Sequence, residues 1–337
     1  MIRRSEPRLI DSYDSLLLDL DGTLMHGGEP IEHAGEAVDR AREAGLHLAF
    51  VTNNASRSAQ QASDHLAGVG VHAEPTEMIT AAQVAAHTLA ERLASGSAVL
   101  VIGGDALAGE IASVGLTPVN SDGPDVAAVV QGWAPTLTWP LLAEGAYAIN
   151  RGAAWLATNL DATLPTERGY APGNGSMVAA LRHATGAEPE STGKPAPGMF
   201  LIAAERIGSR RPLVVGDRLD TDIAGANSAQ MDSLLVLTGV STAQDAIRAT
   251  PQERPTWVLD DLSGIWTPLA RPVVDGDRAR CGTVSAIWGN GDITINGPID
   301  DTSVICAVLA LLRTYSPHSA WTGTIRNADG SQEPTQP

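Results

Sequence analysis

The apolar run Leu16-Leu17-Leu18 ends on Asp19-Leu20-Asp21-Gly22-Thr23-Leu24. A short run of consecutive apolar residues fits the tail of a buried parallel strand. Burying a charge is costly unless it is paired or bound to a metal, so such strands seldom finish on carboxylates. The carboxyl end of a strand in an open α/β sheet is also where ligands usually bind. Gly22 lets the chain turn sharply after the pair. Residues i and i+2 of an extended chain share a side, so Asp19 and Asp21 can face one ligand if extended geometry persists.

The rest of the chain alternates strands and helices, which points to parallel sheets. A helix over Ala34–Ala44, closed by Gly45, leads to a strand at Leu46–Val51 that ends on Thr52-Asn53-Asn54. Ser58–Gly68 follows as a helix. From about Ala81 the pattern restarts: a helix to Ala94, strands at Val99–Ile102, Val126–Val130 and Ala154–Ala157, and helices at Ala106–Val114 and Leu141–Asn150. A glycine-rich loop from Gly169 to Gly175 opens a helix over Ser176–Ala184. The first pattern then resumes with a helix at Pro197–Ile207, a strand at Pro212–Val215 ending on Gly216-Asp217, a helix at Ile223–Ala229 and a strand at Leu234–Thr238. The central block therefore reads as an insertion, which exposed loop tips tolerate and which two hinge strands would let move as a lid. After Leu269 the style changes to two strands, Thr283–Trp288 and Asp292–Asn296, and a helix over Asp300–Arg313. The basic start Met1–Arg8 and the polar stretch Asn327–Pro337 read as tails.

Composition narrows the function. The formal net charge is -17 over 337 residues, which opposes non-specific nucleic-acid binding and anionic membranes alike. No apolar run reaches membrane-spanning length. Two cysteines, Cys281 and Cys306, exclude a disulfide scaffold and point to a reducing cytoplasm.

Four segments lie at strand ends or loops of the first pattern: Asp19-Leu20-Asp21-Gly22-Thr23, Thr52-Asn53-Asn54, Gly193-Lys194-Pro195 and Gly216-Asp217-Arg218-Leu219-Asp220-Thr221-Asp222. If their strands are neighbours, all four meet at one sheet edge. Asp19, Asp21 and Asp217 supply hard oxygen ligands that suit Mg²⁺ better than zinc. Lys194 supplies a cation, and Thr52 with the amides of Asn53 and Asn54 supplies donors for a tetrahedral anion. Together they suit a phosphoryl group, whose displacement needs mainly positioning and charge neutralisation. Each segment alone has a plainer use: Asp-Gly is a hairpin signal, and Thr52-Asn53-Asn54 or Asp222 would serve to cap a helix. Gly103-Gly104 lacks the third glycine of a dinucleotide loop.

In series, these segments resemble the four motifs of the haloacid dehalogenase-like (HAD) phosphatases, in the right order. The long insertion between Thr52 and Lys194 resembles the α/β cap of the phosphoglycolate, 4-nitrophenyl phosphatase and NagD-like subgroup. Thr158-Asn159-Leu160-Asp161 and Pro172-Gly173-Asn174-Gly175-Ser176 resemble motifs in that cap. The resemblance spans about Ser12 to Trp266 and leaves the region after Leu269 without support. It implies that Asp19 is a nucleophile forming an aspartyl-phosphate and that Asp21 moves protons. It implies Mg²⁺ on Asp19, the Asp21 backbone carbonyl and Asp217, with Asp222 behind them. Thr52, the Asn53 amide and Lys194 would bind the phosphate, and Asn159, Asp161, Arg168, Gly173, Asn174 and Gly175 are candidates to reach the substrate from the cap.

The expected architecture is thus α/β: a Rossmann-like core with a parallel sheet over 1–80 and 186–269, an inserted α/β cap over 81–185, and a ββα appendage over 270–337. The expected function is Mg²⁺-dependent hydrolysis of a small phosphorylated metabolite, with glycerol 3-phosphate or 2-phosphoglycolate leading. Pyridoxal phosphate and nucleoside monophosphates are the alternative substrates. A non-catalytic sugar-phosphate or nucleotide binder is the alternative of another class, and a dehalogenase or phosphomutase a third. No nucleic-acid or membrane partner is expected, and the cap and the appendage are the two candidate surfaces for homo-oligomerisation.

Overall fold

The computed structural model describes residues 8–166 and 168–328, without the side chains of 165 and 166. The tails read from sequence therefore lie outside the described residues, apart from Arg8, Asn327 and Ala328. Asn327 is not tail but the last residue of a strand, Ile325–Asn327. The chain divides into two compact bodies, Met1–Leu48 with Gly208–Pro337, and Ala49–Ile207. Segments 49–80 and 186–207 thus fall with the inserted block, and the region after 269 falls with the first body.

In the first body, Ser15–Leu18 pairs in parallel with Pro212–Gly216, from Ser15↔Pro212 to Leu18↔Val215. Asp232–Val236 and Trp257–Leu259 extend the same ladder in parallel. Leu16 to Leu18, Leu213 to Val215 and Leu234 to Val236 are all fully buried, as strands covered on both faces require. One further backbone bond, Asp19 N–H to Val215 O at 2.9 Å, carries the ladder just past Leu18. Asp19 and Asp217 therefore leave the sheet at the same edge. The strand expected at Leu234–Thr238 stops at Val236, and Thr238 belongs to the loop beyond it.

The C-terminal region holds more than two strands and a helix. Val273–Asp275, Arg278–Cys281, Val284–Gly289 and Asp292–Asn296 form an antiparallel meander, and Ile325–Asn327 adds in parallel to Asp292–Asn296. The helix Thr302–Tyr315 buries Val304 to Leu309, Leu311 and Leu312. So complete a burial needs apolar cover on two sides. Ala286, Ile293 and Ile295 of the meander lie on one side, and Leu235, Ala246, Ile247 and Val258 complete the same cluster from the parallel-sheet layer. Arg254, itself buried, closes the helix: its guanidinium donates to Leu312 O at 3.1 Å, to Ser316 O, and to Ser319 O at 2.7 Å. Leu312 lies in the last turn of the helix, and Ser316 and Ser319 follow its end, so one guanidinium ties that end to the chain beyond it.

Where the second body begins, the end of the strand His47–Thr52 pairs in parallel with Met78–Thr80, Phe50↔Met78 to Thr52↔Thr80. Capping boxes start both following helices, Ser58 with Gln61 and Thr80 with Gln83. A five-stranded parallel sheet follows, in the order Glu190–Ser191, Ala154–Ala157, Val126–Gln131, Ala98–Ile102, Thr117–Val119. Helices Asp105–Ser113, Trp139–Asn150 and Asn174–Thr185 accompany it. The glycine-rich loop expected from Gly169 is instead a strand, Gly169–Pro172, paired antiparallel with Thr163–Thr166. Glycine composition suggested a loop there, but pairing with a neighbouring strand decides the conformation.

Candidate active site

Three buried carboxylates meet in the first body. Asp19, Asp217 and Asp222 each bring an oxygen within 4.8 Å of the others. Asp19 is 8% exposed, Asp217 and Asp222 1% each. Asp19 is held by the ladder bond just described. Asp217 follows Gly216 at the end of its own strand, and its Oδ2 accepts from Val240 N at 2.7 Å. Asp222 accepts from Arg218 N at 3.1 Å through Oδ2. It lies near the end of the turn Leu219–Ile223, just before the helix Ala224–Ser228.

Three glycines make room for this cluster. A Cβ on Gly22 or on Gly239 would overlap the Asp217 carboxylate, and one on Gly216 would overlap Asp222. Gly22 also has φ +88°, the left-handed region where a side chain is strained. The loop after Val236 closes the arrangement: Thr238 Oγ1 donates to Gly22 O at 2.7 Å, and Ser241 Oγ accepts from Leu219 N at 3.1 Å. Sequence reading missed this loop because Thr238 passed for the end of a strand. The signal was a third apolar strand ending, like the others, on a polar residue and a glycine.

Asp21 does not join the cluster. The strand ends at Leu18, the chain turns through Leu24 N–H to Leu20 O at 2.8 Å, and Asp21 stands exposed. Extended geometry fails to persist, so the two aspartates of the pair occupy different surroundings. His26, near them in sequence, is exposed with Nε2 2.7 Å from Thr238 O. Asp220, in the same segment, is gripped by Arg218 through Nε at 3.0 Å and Nη2 at 2.7 Å. That hydrogen-bonded guanidinium lowers its carboxyl pKa.

The second body assembles the polar residues. Thr52 is the last residue of its strand, buried, with Oγ1 accepting from Asn54 N at 3.1 Å. Lys194 is 3% exposed and its Nζ donates to Val51 O at 3.2 Å. Asn53 lies beside it, with Lys194 N donating to Asn53 Oδ1 at 2.8 Å. Among the cap candidates, Asn159 is buried and donates to Asn53 O at 2.8 Å, and Asn174 is buried and donates to Asn159 O at 2.7 Å. Asp161 accepts from Asn53 Nδ2 at 3.3 Å. Arg168 stands exposed at the turn between the Thr163–Thr166 and Gly169–Pro172 strands. Gly173 and Gly175 serve close packing, since a Cβ there would overlap Asp161 O or Leu160 O.

This donor set fits a hard divalent cation. The three buried carboxylates of the first body offer oxygen alone, with no sulfur or imidazole among them.

Comparison with known proteins agrees with the geometry. The haloacid dehalogenase-like hydrolase family model matches residues 16–117, and a HAD-hydrolase-like model matches 191–265. D-glycerol 3-phosphate phosphatase of Mycobacterium tuberculosis is 46% identical over 334 residues, covering 97% of this chain and 90% of that protein. The 5'-nucleotidase YutF of Bacillus subtilis is 36% identical over 259 residues, 76% of this chain and 98% of that protein. The crystal structure of the M. tuberculosis glycerol phosphate phosphatase in complex with magnesium superposes with a TM-score of 0.85 at 45% identity, covering 96% of each chain. Carboxylates at two parallel strand ends and these relatives make the chain a member of the haloacid dehalogenase-like hydrolase family.

Proposed function

We propose that the chain is a Mg²⁺-dependent phosphatase of a small phosphorylated metabolite, with glycerol 3-phosphate as its leading substrate and 2-phosphoglycolate next. The observation that carries the chemistry is the buried cluster of Asp19, Asp217 and Asp222 at the strand ends. The M. tuberculosis relative, named for D-glycerol 3-phosphate and matched over 97% of this chain, supports the substrate.

Asp19 and Asp217, with the Asp21 carbonyl and with Asp222 beside them, would hold Mg²⁺, which neutralises charge on the nucleophile and the phosphoryl oxygens. An Asp19 oxygen attacks phosphorus and the bond from phosphorus to the leaving oxygen breaks. Asp21 gives that oxygen its proton, releasing the alcohol and leaving an aspartyl-phosphate. Asp21, now ionised, takes a proton from water as the water oxygen attacks phosphorus, and inorganic phosphate departs from Asp19. Different surroundings suit these two roles: Asp19 must be ionised to attack while Asp21 must carry a proton. Asp21 stands outside the carboxylate cluster, so the two aspartates do occupy different surroundings. Thr52, the Asn53 amide and Lys194 are assigned to the phosphoryl oxygens. The block 81–185 is assigned the role of cap, with Asn159, Asp161 and Arg168 as the residues that select the leaving group. Two free, buried cysteines support a reducing, cytoplasmic setting. No helix among the described residues is long and apolar enough to cross a membrane.

Phosphate release across a panel of small phosphomonoesters, with and without Mg²⁺, tests the function. Asp19→Asn should abolish turnover with the circular dichroism spectrum intact. Normal kcat in that variant would sink the nucleophile assignment, and no turnover on any ester would favour a non-catalytic phosphate binder.

A further inference from the structure

The side chain of Asn53 has a use beyond its amide. Its Oδ1 accepts from Lys194 N at 2.8 Å, and its Nδ2 donates to Lys194 O at 3.2 Å. One carboxamide thus grips both polar groups of a single residue's backbone, 141 positions away in sequence. The pairing also fixes the amide's orientation, because a flip would set its NH₂ against the Lys194 N–H. Gly193 is what allows the approach: a Cβ there would sit 2.7 Å from Asn53 Oδ1 and overlap Thr158 O.

The same carboxamide faces the cap loop. Nδ2 donates to Asp161 Oδ2 at 3.3 Å, while Asn159 Nδ2 donates to the Asn53 carbonyl at 2.8 Å. Asn159 Oδ1 accepts from Asp161 N at 3.2 Å, and Asn174 Nδ2 donates to Asn159 O at 2.7 Å. Every bond of this chain lies within the second body. Lys194 has four side-chain torsions and is only 3% exposed as a residue, so its reach is set by where its backbone is pinned.

We propose that Asn53 is a positioning residue: its side chain fixes Lys194 against the phosphate loop and ties that setting to Asn159 and Asp161 of the cap. This rests on the phosphate-binding role assigned above to Lys194. Losing two neutral hydrogen bonds to Lys194 predicts a fall of about 10- to 100-fold in whatever Lys194 supports.

The test measures inorganic phosphate affinity by titration calorimetry in saturating Mg²⁺, together with kcat on glycerol 3-phosphate, using the full chain. Asn53→Ala should weaken phosphate binding and lower kcat by that factor, with Mg²⁺ affinity unchanged. Asn53→Asp keeps the acceptor for Lys194 N, loses both donations, and sets a second carboxylate beside Asp161; its phosphate affinity should fall further. Combining it with Asp161→Asn restores an amide–carboxylate pair and should recover at least about 5-fold over Asn53→Asp alone. A purely structural role would lower the melting temperature and leave the affinity of the folded protein alone. Unchanged phosphate affinity in folded Asn53→Ala, or no recovery in the exchange variant, overturns the proposal. If Asn53→Ala does not fold, the near-isosteric Asn53→Asp and its exchange partner decide. If the unmodified chain binds phosphate but hydrolyses nothing, the phosphatase assignment fails while the affinities still judge Asn53. Failure to bind phosphate overturns both.

Discussion

Replacing Gly22 by alanine isolates the part of the site that depends on backbone alone. Gly22 holds φ +88°, and a Cβ on it would overlap the Asp217 carboxylate. The left-handed backbone costs an L-residue about 1–2 kcal/mol. Forcing a methyl into filled space adds about 1–3 kcal/mol. The sum, about 2–5 kcal/mol, is a large share of an ordinary domain stability of roughly 5–15 kcal/mol. It corresponds to a melting temperature lower by ~5–15 °C. Gly239→Ala is the internal control: its Cβ meets the same Asp217 side chain but its φ is not positive, so only the packing cost of about 1–3 kcal/mol applies. Both variants displace Asp217, whose Oδ2 is otherwise held by Val240 N at 2.7 Å. A displacement near 1 Å at a reacting centre lowers turnover by about 10²-fold. Thermal unfolding followed by circular dichroism gives the first quantity, and Mg²⁺ titration of phosphate release gives the second. An unchanged melting point and Mg²⁺ midpoint in Gly22→Ala would refute the argument. A less stable Gly239→Ala than Gly22→Ala would refute the division between backbone and packing.

Two further outcomes follow from the C-terminal region. Arg254→Met should lower stability by about 2–4 kcal/mol in urea, because the carbonyls of Leu312, Ser316 and Ser319 lose the charged donor that a buried Arg254 supplies; a loss under about 1 kcal/mol would contradict that helix closure. Burial pushes the Cys306 thiol up to about 12, and burial also raises Cys281. A thiol reagent at pH 8 should therefore find both silent until the chain unfolds. The unfolded chain ionises first, so the thiols' contribution to stability is intact below the ordinary thiol pKa and is lost as pH rises towards about 12. Rapid labelling of the native protein would contradict their burial.

Local pattern carried much of the fold. Ala154–Ala157 and Asp292–Asn296 are strands with the limits read from sequence. Leu16–Leu18 is the buried parallel strand that its unbroken apolar run announces, and Asp19 and Asp217 follow from two such runs ending alike. These are short-range properties: whether a segment alternates, and what stands at its end. The meander beyond Leu269 was legible only in part, because three of its five strands are three or four residues long and are defined by their neighbours.

The opening aspartate pair shows where sequence stops. Its motif identifies the family and the reaction class, because hard-oxygen ligands at a strand end suit few chemistries. Spacing alone suggested that both carboxylates face one ligand. Tertiary structure gave the two different surroundings, burying Asp19 with Asp217 and Asp222 and leaving Asp21 exposed past the turn. It also decided that Gly239, Val240 and Asn53 hold the site's charged residues in place. Those contacts join side chains to backbone 23 and 141 positions away, and no periodicity records such pairs. Only the packing that brings distant strand ends together creates them.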